Sequence, residues 1–466
     1  SMFDVIGPNM IGPSSSHTAG ACVIAYLAQK MINGTLKKVD FTPDAENDKM
    51  LAAHEVCLRD KEKQAANFLA IEKESNRVNA KRLLQETEEG VVVINPPFPT
   101  MTTEQLDHSF DLPYTRLPHP KYKGKRIPAY DMIKHSVNIH RGCFGGCSFC
   151  TISAHQGKQI VSRSEKSILT EIERISQQAD FHGVLSDLGG PSANMYMMKG
   201  KNTDLCRKCT RYSCIHPTHC KNLNSNHKPL LELYKKIDTL PYIKHAYIGS
   251  GIRYDLFNQN NHGYEYFRQV VLKHVSGRLK VAPEHTSEKV LHTMRKPSFN
   301  MFVQIKKEFD NICRESKINQ QLIPYFISSH PSCNLSDMAE LAVKMKEMGY
   351  RLEQIQDFTP TPMTLATEMY YTGYNPATME KVFVAKHPNE KREQNMMFFW
   401  YKPENKAYIT ACEKNKIRAE RLKYNLQKQG VGCVNVMLED ARKLSDFFSF
   451  DKIFDIGDIA TAYSRK

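Results

Sequence analysis

The sequence predicts an α/β fold built as an open, partial parallel barrel of six strand–helix pairs, a (β/α)6 arrangement. From residue 136 onward, short apolar runs alternate six times with helical patterns. A closed eight-stranded barrel would need two further pairs, so we expect the sheet to stay open. Because parallel strands are joined by crossover helices, their carboxyl ends meet at one edge, and polar residues follow several of the predicted strands there.

The elements follow one another in a regular order along the chain. The six predicted strands are residues 136–140, 183–188, 245–250, 278–282, 322–327 and 351–356. The predicted helices are residues 165–176, 229–236, 264–274, 288–294, 301–313 and 337–348. In the first helix, Ile168, Ile172 and Ile175 lie at helical spacing on one face, which is the pattern of a helix that packs against a sheet.

A cysteine-rich loop follows the first predicted strand. Cys143, Cys147 and Cys150 form the spacing C-x3-C-x2-C. Three thiolates are too few to close a tetrahedral zinc site, whereas three can hold a 4Fe-4S cluster and leave one iron open. Glycines at positions 142, 145 and 146 would let the chain wrap closely around a bulky ligand. The alternatives are buried apolar cysteines, or part of a zinc site that is completed elsewhere.

Polar and glycine residues at the ends of the later strands are candidates for binding a cofactor. They are Asp187, Gly189, Gly190, Ser250, Arg253 and Glu284. Glycines allow the backbone to approach a ligand, while a carboxylate and a guanidinium can hold its charged and hydroxyl groups. Weaker candidates at the same edge are Asp255, His285, Thr286, His330, Gln356 and Thr359. The alternative for each charged residue is a surface ion pair.

A second group of cysteines lies in an insert at residues 200–222. Cys206, Cys209, Cys214 and Cys220 follow the spacing C-x2-C-x4-C-x5-C. Four thiolates satisfy either a structural zinc ion or a second iron–sulfur cluster, and we favour the cluster. His216 and His219 are alternative ligands if one cysteine takes no part. The remaining alternative is a loop whose cysteines are fortuitous.

The composition limits the classes of protein to which the chain belongs. It has 466 residues, 13 cysteines, and neither an export signal nor an apolar run long enough to cross a membrane. Clustered cysteines without an export signal predict cytoplasmic metal chemistry and no membrane association. The excess of 64 basic over 50 acidic residues gives a net charge of +14, which favours an anionic partner such as RNA. A basic soluble enzyme is the simpler alternative.

Longer stretches resemble a known family. The most specific are residues 93–97, 111–120, 141–150, 186–196, 251–255, 282–286, 322–327 and 369–373. Over residues 45–408, the chain resembles YgiQ-type radical S-adenosylmethionine (radical SAM) proteins. The resemblance implies a radical SAM barrel at 131–375, preceded at 45–130 by the end of an amino-terminal α/β domain. A basic carboxyl-terminal extension follows at 376–408. Residues 48–86 are expected to be helical.

The resemblance also implies a chemistry. Cys143, Cys147 and Cys150 would hold a 4Fe-4S cluster whose open iron is chelated by S-adenosylmethionine (SAM), and by position Gly189 and Gly190 would contact the methionyl amine. An electron from a donor such as a flavodoxin or ferredoxin would cleave SAM to a 5′-deoxyadenosyl radical. That radical would remove a hydrogen atom from a substrate that the resemblance does not identify.

The two ends of the chain resemble other families. Residues 1–44, chiefly positions 3–21, resemble the start of an iron–sulfur L-serine dehydratase. Within residues 409–466, positions 409–454 resemble part of an RNA 5-methylcytosine methyltransferase, with Glu413 at the ribose and Asp440 near the adenine. The glycine-rich loop and the Pro-Cys motif of that family are absent. A composite chain with one of these activities, or a non-catalytic metal-binding scaffold, is therefore the alternative to a radical SAM enzyme.

Overall fold

The computed structural model describes residues 44, 46–97, 99–402, 405, 409–428 and 434–438. The serine-dehydratase-like segment lies outside these residues except for Asp44, and so does Asp440. The chain divides into two compact units. The first comprises Ser1–Asn334 and Gln356–Lys386, and the second comprises Leu335–Ile355 and His387–Lys466. Every residue predicted above to hold a metal centre or SAM lies in the first unit.

The described strands are short. They are β1 (Asp48–Met50), β2 (Arg82–Thr87), β3 (Gly90–Ile94), β4 (Ser136–Asn138), β5 (His140–Arg141), β6 (Val161–Ser162), β7 (Val184–Leu185), β8 (Asp187–Gly189), β9 (Lys199–Gly200), β10 (Leu223–Asn224), β11 (His245–Ala246), β12 (Arg278–Glu284), β13 (Gln321–Ser328), β14 (Gln356–Asp357), β15 (Ile409–Cys412) and β16 (Val434–Met437).

The described α-helices alternate with these strands. They are α1 (His54–Arg59), α2 (Lys61–Ser75), α3 (Thr103–Asp111), α4 (Pro128–Ile133), α5 (Ile152–Gln156), α6 (Glu165–Ser176), α7 (Thr203–Arg207), α8 (Lys228–Asp238), α9 (Gly263–Gln269), α10 (Glu288–Met294), α11 (Phe299–Glu315), α12 (Leu335–Glu347), α13 (Leu365–Thr372), α14 (Pro388–Phe398) and α15 (Lys416–Lys428). Three single turns of 3₁₀-helix are Pro120–Tyr122, Tyr254–Leu256 and Gln259–Asn261, and Val270–His274 forms a π-helical turn. None of the described helices is long and apolar enough to cross a membrane.

Strands of the predicted barrel pair in parallel with strands that come later in the sequence. β4 pairs with β8, β7 pairs with β11, and β13 pairs with both β12 and β14, all in parallel. Among the strands that the structure describes, no pairing joins β11 to β12, so no closed sheet is formed. The predicted α/β class is therefore confirmed as parallel strands joined by helices. The carboxyl ends of these strands carry the candidate residues.

The helix predictions for the middle of the chain are largely confirmed. The helices predicted at 165–176 and 288–294 have those bounds in the structure. In α6, the Ser164 hydroxyl accepts a hydrogen bond from the Ser167 amide at 3.1 Å and caps the first turn. The isoleucines at positions 168, 172 and 175 are fully buried, as their spacing predicts.

Two local predictions are wrong. The predicted sixth strand, 351–356, is a strand only from Gln356, because the backbone of β13 pairs with Gln356 and Asp357 alone. Residues 48–86, predicted to be helical, are helical only in α1 and α2, and the two ends of this range form β1 and β2. Asp60 separates the two helices, and its carboxylate accepts from the amides of Glu62 and Lys63 to start α2. β2 then forms because it pairs with both β1 and β3.

The second unit contains a pair of packed helices and a pair of parallel strands. α12 packs against α14, and β15 pairs in parallel with β16 on either side of α15 in the chain. This part of the carboxyl-terminal segment therefore has the order strand–helix–strand. The Glu413 carboxylate accepts from the Asn415 amide at 2.9 Å and lies 3.1 Å from the Arg418 guanidinium. Its side chain is therefore engaged by neighbours in its own loop.

A buried ion pair fastens the first strand of the predicted barrel to the helix that follows it. Arg163 is fully buried and pairs with Glu171 on α6. Its guanidinium also donates to the Asn138 carbonyl at 3.0 Å and to the Ser167 hydroxyl at 2.7 Å. Arg116 pairs with the other oxygen of Glu171. One carboxylate therefore balances two arginines, one of which has no access to water.

Replacing this carboxylate should destabilise the first unit. In Glu171→Ala, Arg163 keeps its burial and loses its ion-pair partner, a change that typically costs about 3–5 kcal/mol of unfolding free energy. Glu173→Ala, on the exposed face of the same helix, should change it by less than about 0.5 kcal/mol. Urea unfolding followed by circular dichroism measures both. Equal stability of the two variants would contradict the role given to Arg163.

Candidate metal centre and cofactor site

The cysteine loop is held in a tight turn by its glycines. Gly142 has a φ of +88°, and a Cβ there would lie 2.2 Å from the carbonyl oxygen of Gln159. Gly146 has a φ of +62°, and a Cβ there would lie 2.6 Å from the carbonyl oxygen of Tyr212. Such contacts exclude any side chain, and the left-handed backbone favours glycine as well. The loop geometry thus depends on the glycines that the sequence singled out.

The three cysteines of the loop are free and half-buried. Two donors reach their sulfurs: the Gly145 amide lies 3.4 Å from Cys143 Sγ, and Arg253 Nη1 lies 3.3 Å from Cys147 Sγ. Burial raises the pKa of Cys143, and it raises the pKa of Cys150 to about 12, with the neighbouring Cys147 adding to the effect. A bound metal acts in the opposite direction, because its charge deprotonates a coordinating thiol.

The donor set of this loop fits an iron–sulfur cluster better than a single ion. A 4Fe-4S cluster is ligated through its separate irons, so three cysteine thiolates hold it and leave one iron open. Three thiolates on one loop, with N–H donors directed at two of them, match that donor set.

Asp187 and Ser250 are engaged with each other across the ends of neighbouring strands. Asp187 Oδ1 accepts from the Gly249 amide at 2.9 Å and from the Ser250 amide at 3.2 Å. The Ser250 hydroxyl donates to Asp187 Oδ2 at 2.5 Å. These bonds fix the turn after β11, so both residues hold the rim of the site in shape.

The two glycines that follow Asp187 are required by close packing. A Cβ on Gly189 would lie 2.9 Å from Ser250 Oγ, and one on Gly190 would lie 2.4 Å from the ring of His140. His140 is fully buried, and burial, with the charge of Arg141 adding, lowers its pKa to about 3, so the imidazole is neutral. His140 was missed in the sequence because a lone histidine inside a predicted strand carries no signal.

Glu284 ends β12 in an unusual backbone conformation. Its φ is +69°, a value that non-glycine residues rarely adopt, and its side chain is buried. Lys296 Nζ lies 3.7 Å from Glu284 Oε1. Burial raises the pKa of the Glu284 carboxyl, while Lys296 and Arg253 oppose that rise. A strained, buried carboxylate at the end of a strand is typical of a functional position.

Arg253 connects the cysteine loop to the end of the third predicted strand. Its guanidinium donates to Asp255 at 3.0 Å and 2.5 Å, and its remaining nitrogen reaches Cys147 Sγ. The Arg253 amide donates to Asn194 Oδ1 at 2.8 Å. Arg253 was predicted to bind the cofactor directly, and the structure places its charge against the first cysteine group and against Asp255.

The weaker sequence candidates are divided between the interior and the surface. His285, Thr286 and His330 are buried, whereas Gln356 and Thr359 are exposed. His330 Nε2 lies 3.2 Å from the Ser148 hydroxyl, inside the cysteine loop. This contact links the end of β13 to the loop.

A second arginine supports the loop from its other side. Arg295 donates to both carboxylate oxygens of Glu72, at 2.6 and 2.9 Å, and its guanidinium lies 3.5 Å from the centre of the Tyr212 ring. All three residues line a small cavity that also touches Cys147 and Cys150. This group could not be predicted from the sequence, because Glu72 and Arg295 are 223 residues apart.

Comparison with known proteins defines the class. Residues 20–136 match the family described as Radical SAM N-terminal, and residues 353–425 match a domain of unknown function (DUF3362). Together with the cysteine loop, the first match marks a radical SAM protein. Both matches extend across domain boundaries that were predicted from the sequence. The first match spans the boundaries at residues 44/45 and 130/131. The second match spans those at 375/376 and 408/409. The boundaries themselves stay predictions.

Two curated relatives narrow the class to a family. The chain is 61% identical over 394 residues to a UPF0313 protein of Bacteroides thetaiotaomicron. The aligned region covers 82% of this chain and 63% of that protein. It is 44% identical over 338 residues to the UPF0313 protein YgiQ of Escherichia coli K12, covering 71% of this chain and 45% of that protein. The chain belongs to the UPF0313 (YgiQ) family of radical SAM proteins. It spans about half to two thirds of the length of these relatives.

A solved structure gives only a weak likeness. The radical S-adenosylmethionine methyltransferase TsrM from Kitasatospora setae, with cobalamin and a [4Fe-4S] cluster bound, has a TM-score of 0.38 and 14% identity, covering 62% of this chain and 49% of that one. A likeness of this size carries no argument about fold or activity.

The glycine at the start of the loop offers a direct test of its geometry. Gly142→Ala places a Cβ against Gln159 in a left-handed backbone, so the loop must shift and should lose its cluster. Iron bound after anaerobic reconstitution should fall by about four atoms per chain. Gly251→Ala is the control, because a Cβ there meets nothing within 4 Å. Full iron in the Gly142 variant would contradict the account of the loop.

Proposed function

We propose that this chain is a radical SAM enzyme with a 4Fe-4S cluster on Cys143, Cys147 and Cys150. SAM would bind at the open iron, inside the partial six-stranded barrel of this class. The observation that carries the proposal is the loop itself: three thiols, two left-handed glycines and two N–H donors to sulfur at the end of the first barrel strand. Membership of the UPF0313 family supports it. The substrate is not identified.

Cys143, Cys147 and Cys150 would hold the cluster, which would supply the electron for cleaving the C–S bond of SAM to methionine and a 5′-deoxyadenosyl radical able to take a hydrogen atom from the substrate. Arg253 places an N–H donor and a positive charge against Cys147 Sγ, the sulfur that would be a cluster ligand. Glu284 has a buried carboxylate. Its ion-pair partner, the ammonium of Lys296, lies 3.7 Å from Glu284 Oε1, which is longer than a hydrogen bond. Its oxygens can therefore accept from an ammonium or a hydroxyl group of SAM.

The residues behind the loop exclude water. Phe144 lies in a buried apolar cluster with Met195, Met198, Ile215 and Leu256. A radical reaction needs such a wall, because water and stray hydrogen donors divert the reactive intermediate. The loop that would bind the cluster is thus anchored in the core by its own phenylalanine.

The partners proposed for this reaction follow from its chemistry. A donor such as a flavodoxin or ferredoxin would deliver the electron, and the net charge of +14 favours an acidic donor. RNA stays a proposal as an anionic substrate on the same ground of charge. Binding to RNA would weaken steeply as salt rises.

Formation of 5′-deoxyadenosine tests the proposal. Anaerobically reconstituted, reduced protein should form this product from SAM, and Cys143→Ala should lower the rate by more than about 100-fold because a cluster ligand is lost. Cys313→Ala is the matched control: Cys313 is another free, half-buried cysteine, outside both cysteine groups, and its loss should leave the rate unchanged. Chromatography with mass detection measures the product.

Two outcomes would contradict the proposal. One is an iron-replete protein that forms no 5′-deoxyadenosine. The other is a Cys143→Ala variant as active as the Cys313→Ala control.

A further inference from the structure

A compact cysteine-rich segment, which we call the cysteine knob, runs from residue 199 to residue 224. β9 and β10 pair antiparallel and close its base. Inside it, Cys206, Cys209, Cys214 and Cys220 are all free and half-buried. The segment folds back on itself through backbone bonds from the Cys209 amide to the Cys206 carbonyl at 3.1 Å and from the Cys220 amide to the Cys214 carbonyl at 2.7 Å. Four thiols are thereby gathered into one small structure.

Hydrogen-bond donors are directed at the sulfurs of the knob. Asn222 Nδ2 lies 3.2 Å from Cys206 Sγ, and the Arg211 amide lies 3.4 Å from Cys209 Sγ. A Cβ on Gly200 would lie 2.3 Å from Cys206 Sγ, so a side chain there would displace the thiol. N–H groups directed at sulfur can hydrogen-bond to a sulfur that is bound to a metal cluster.

A buried lysine points to a negatively charged ligand. Lys158 is 5% exposed, donates to the Arg211 carbonyl at 2.5 Å, and places its ammonium 4.0 Å from Cys209 Sγ. Among the residues that the structure describes, no carboxylate lies within ion-pair distance of it. An ammonium buried without a counter-charge is costly. A metal centre with four thiolates carries net negative charge and would supply what Lys158 lacks.

The surroundings of the sulfurs favour a cluster over a single ion. Cys206, Cys214 and Cys220 line one small cavity with apolar side chains that include Phe144 and Met198. Three of the four thiols therefore border one shared space, where a four-iron cluster would sit, whereas a tetrahedral zinc site draws four sulfurs to a single ion.

We propose that Cys206, Cys209, Cys214 and Cys220 hold a second 4Fe-4S cluster, charge-balanced by Lys158. With four protein ligands, this cluster has no open iron, so it would not bind SAM. The proposal does not depend on the function proposed for the first group. It rests on the knob's own contacts.

Such a cluster would also brace the first cysteine loop. The Ser213 hydroxyl donates to the Gly145 carbonyl at 2.8 Å, and the Cys214 amide donates to the Phe144 carbonyl at 3.0 Å. Cys214 and the residue before it are therefore bonded to the loop that carries Cys143 and Cys147. Filling the knob would order these bonds, and emptying it would loosen the first loop as well.

Metal analysis of a variant that lacks the first group tests the proposal. A Cys143→Ala, Cys147→Ala, Cys150→Ala variant, reconstituted anaerobically with iron and sulfide, should retain about four iron and four acid-labile sulfide atoms per chain. The unaltered chain should hold about eight of each. Adding Cys209→Ser and Cys220→Ser to the triple variant should remove the remainder, whereas adding Cys313→Ala should not.

Two results would overturn it: a triple variant that binds about one zinc and no iron, or one that binds neither metal. If the triple variant does not fold, Cys209→Ser and Cys220→Ser in the otherwise unaltered chain give a second test. Iron should then fall from about eight towards four per chain, or lower if the first loop is loosened as well. An unchanged iron content in that double variant would equally overturn the proposal.

Discussion

The close approach of neighbouring backbone to Gly142 and Gly146 is the constraint on which the rest of the site depends. At both positions, the carbonyl oxygen of another segment occupies the space in which a side chain would begin. The backbone at these two positions therefore accepts only glycine, in a loop that carries three thiols within nine residues, Gly142 to Cys150. Its flanking strands, β5 and β6, pair antiparallel and bring the two ends of the loop together.

Two pairs of buried charges support this loop. Arg295 with Glu72 connects the segment after α10 to α2, two parts of the chain that are distant in sequence. Arg253 pairs with Asp255 and directs its remaining nitrogen at Cys147 Sγ. Charges in a low-dielectric interior are strongly coupled, so removing one partner leaves the other costly to keep. The pairs therefore fix the geometry around the loop.

The sequence was informative where chemistry depends on local spacing. The three cysteines and their glycines lie within one short segment, and their arrangement followed from spacing alone. Helix α6 could be predicted for the same reason, since Ile168 and Ile172 are one turn apart. The sequence was misleading at 48–86, where high charge and good helix formers concealed β2, a strand that forms only because β1 and β3 pair with it.

Contacts between residues that are distant in the sequence could not be predicted. Nothing near Arg253 indicates that its guanidinium reaches Cys147, 106 positions earlier. Lys158 is one of many lysines in a basic chain, and only the structure shows that it is buried beside Cys209. Asp187 was predicted from its place at a strand end, and its carboxylate holds the neighbouring turn. The position of a residue after a predicted strand was enough to place it at the carboxyl ends of the strands. Which group its side chain contacts depends on neighbours that only the folded structure shows.

The central claim is that SAM binds directly to an open iron held by Cys143, Cys147 and Cys150. Electron paramagnetic resonance of the reduced protein, recorded with and without SAM, tests it most directly, because a ligand on iron changes the spectrum of the cluster. The account predicts a SAM-dependent change in the unaltered chain that is absent when Cys147 is replaced by alanine. An iron-replete, reduced protein whose spectrum is the same with and without SAM would contradict it.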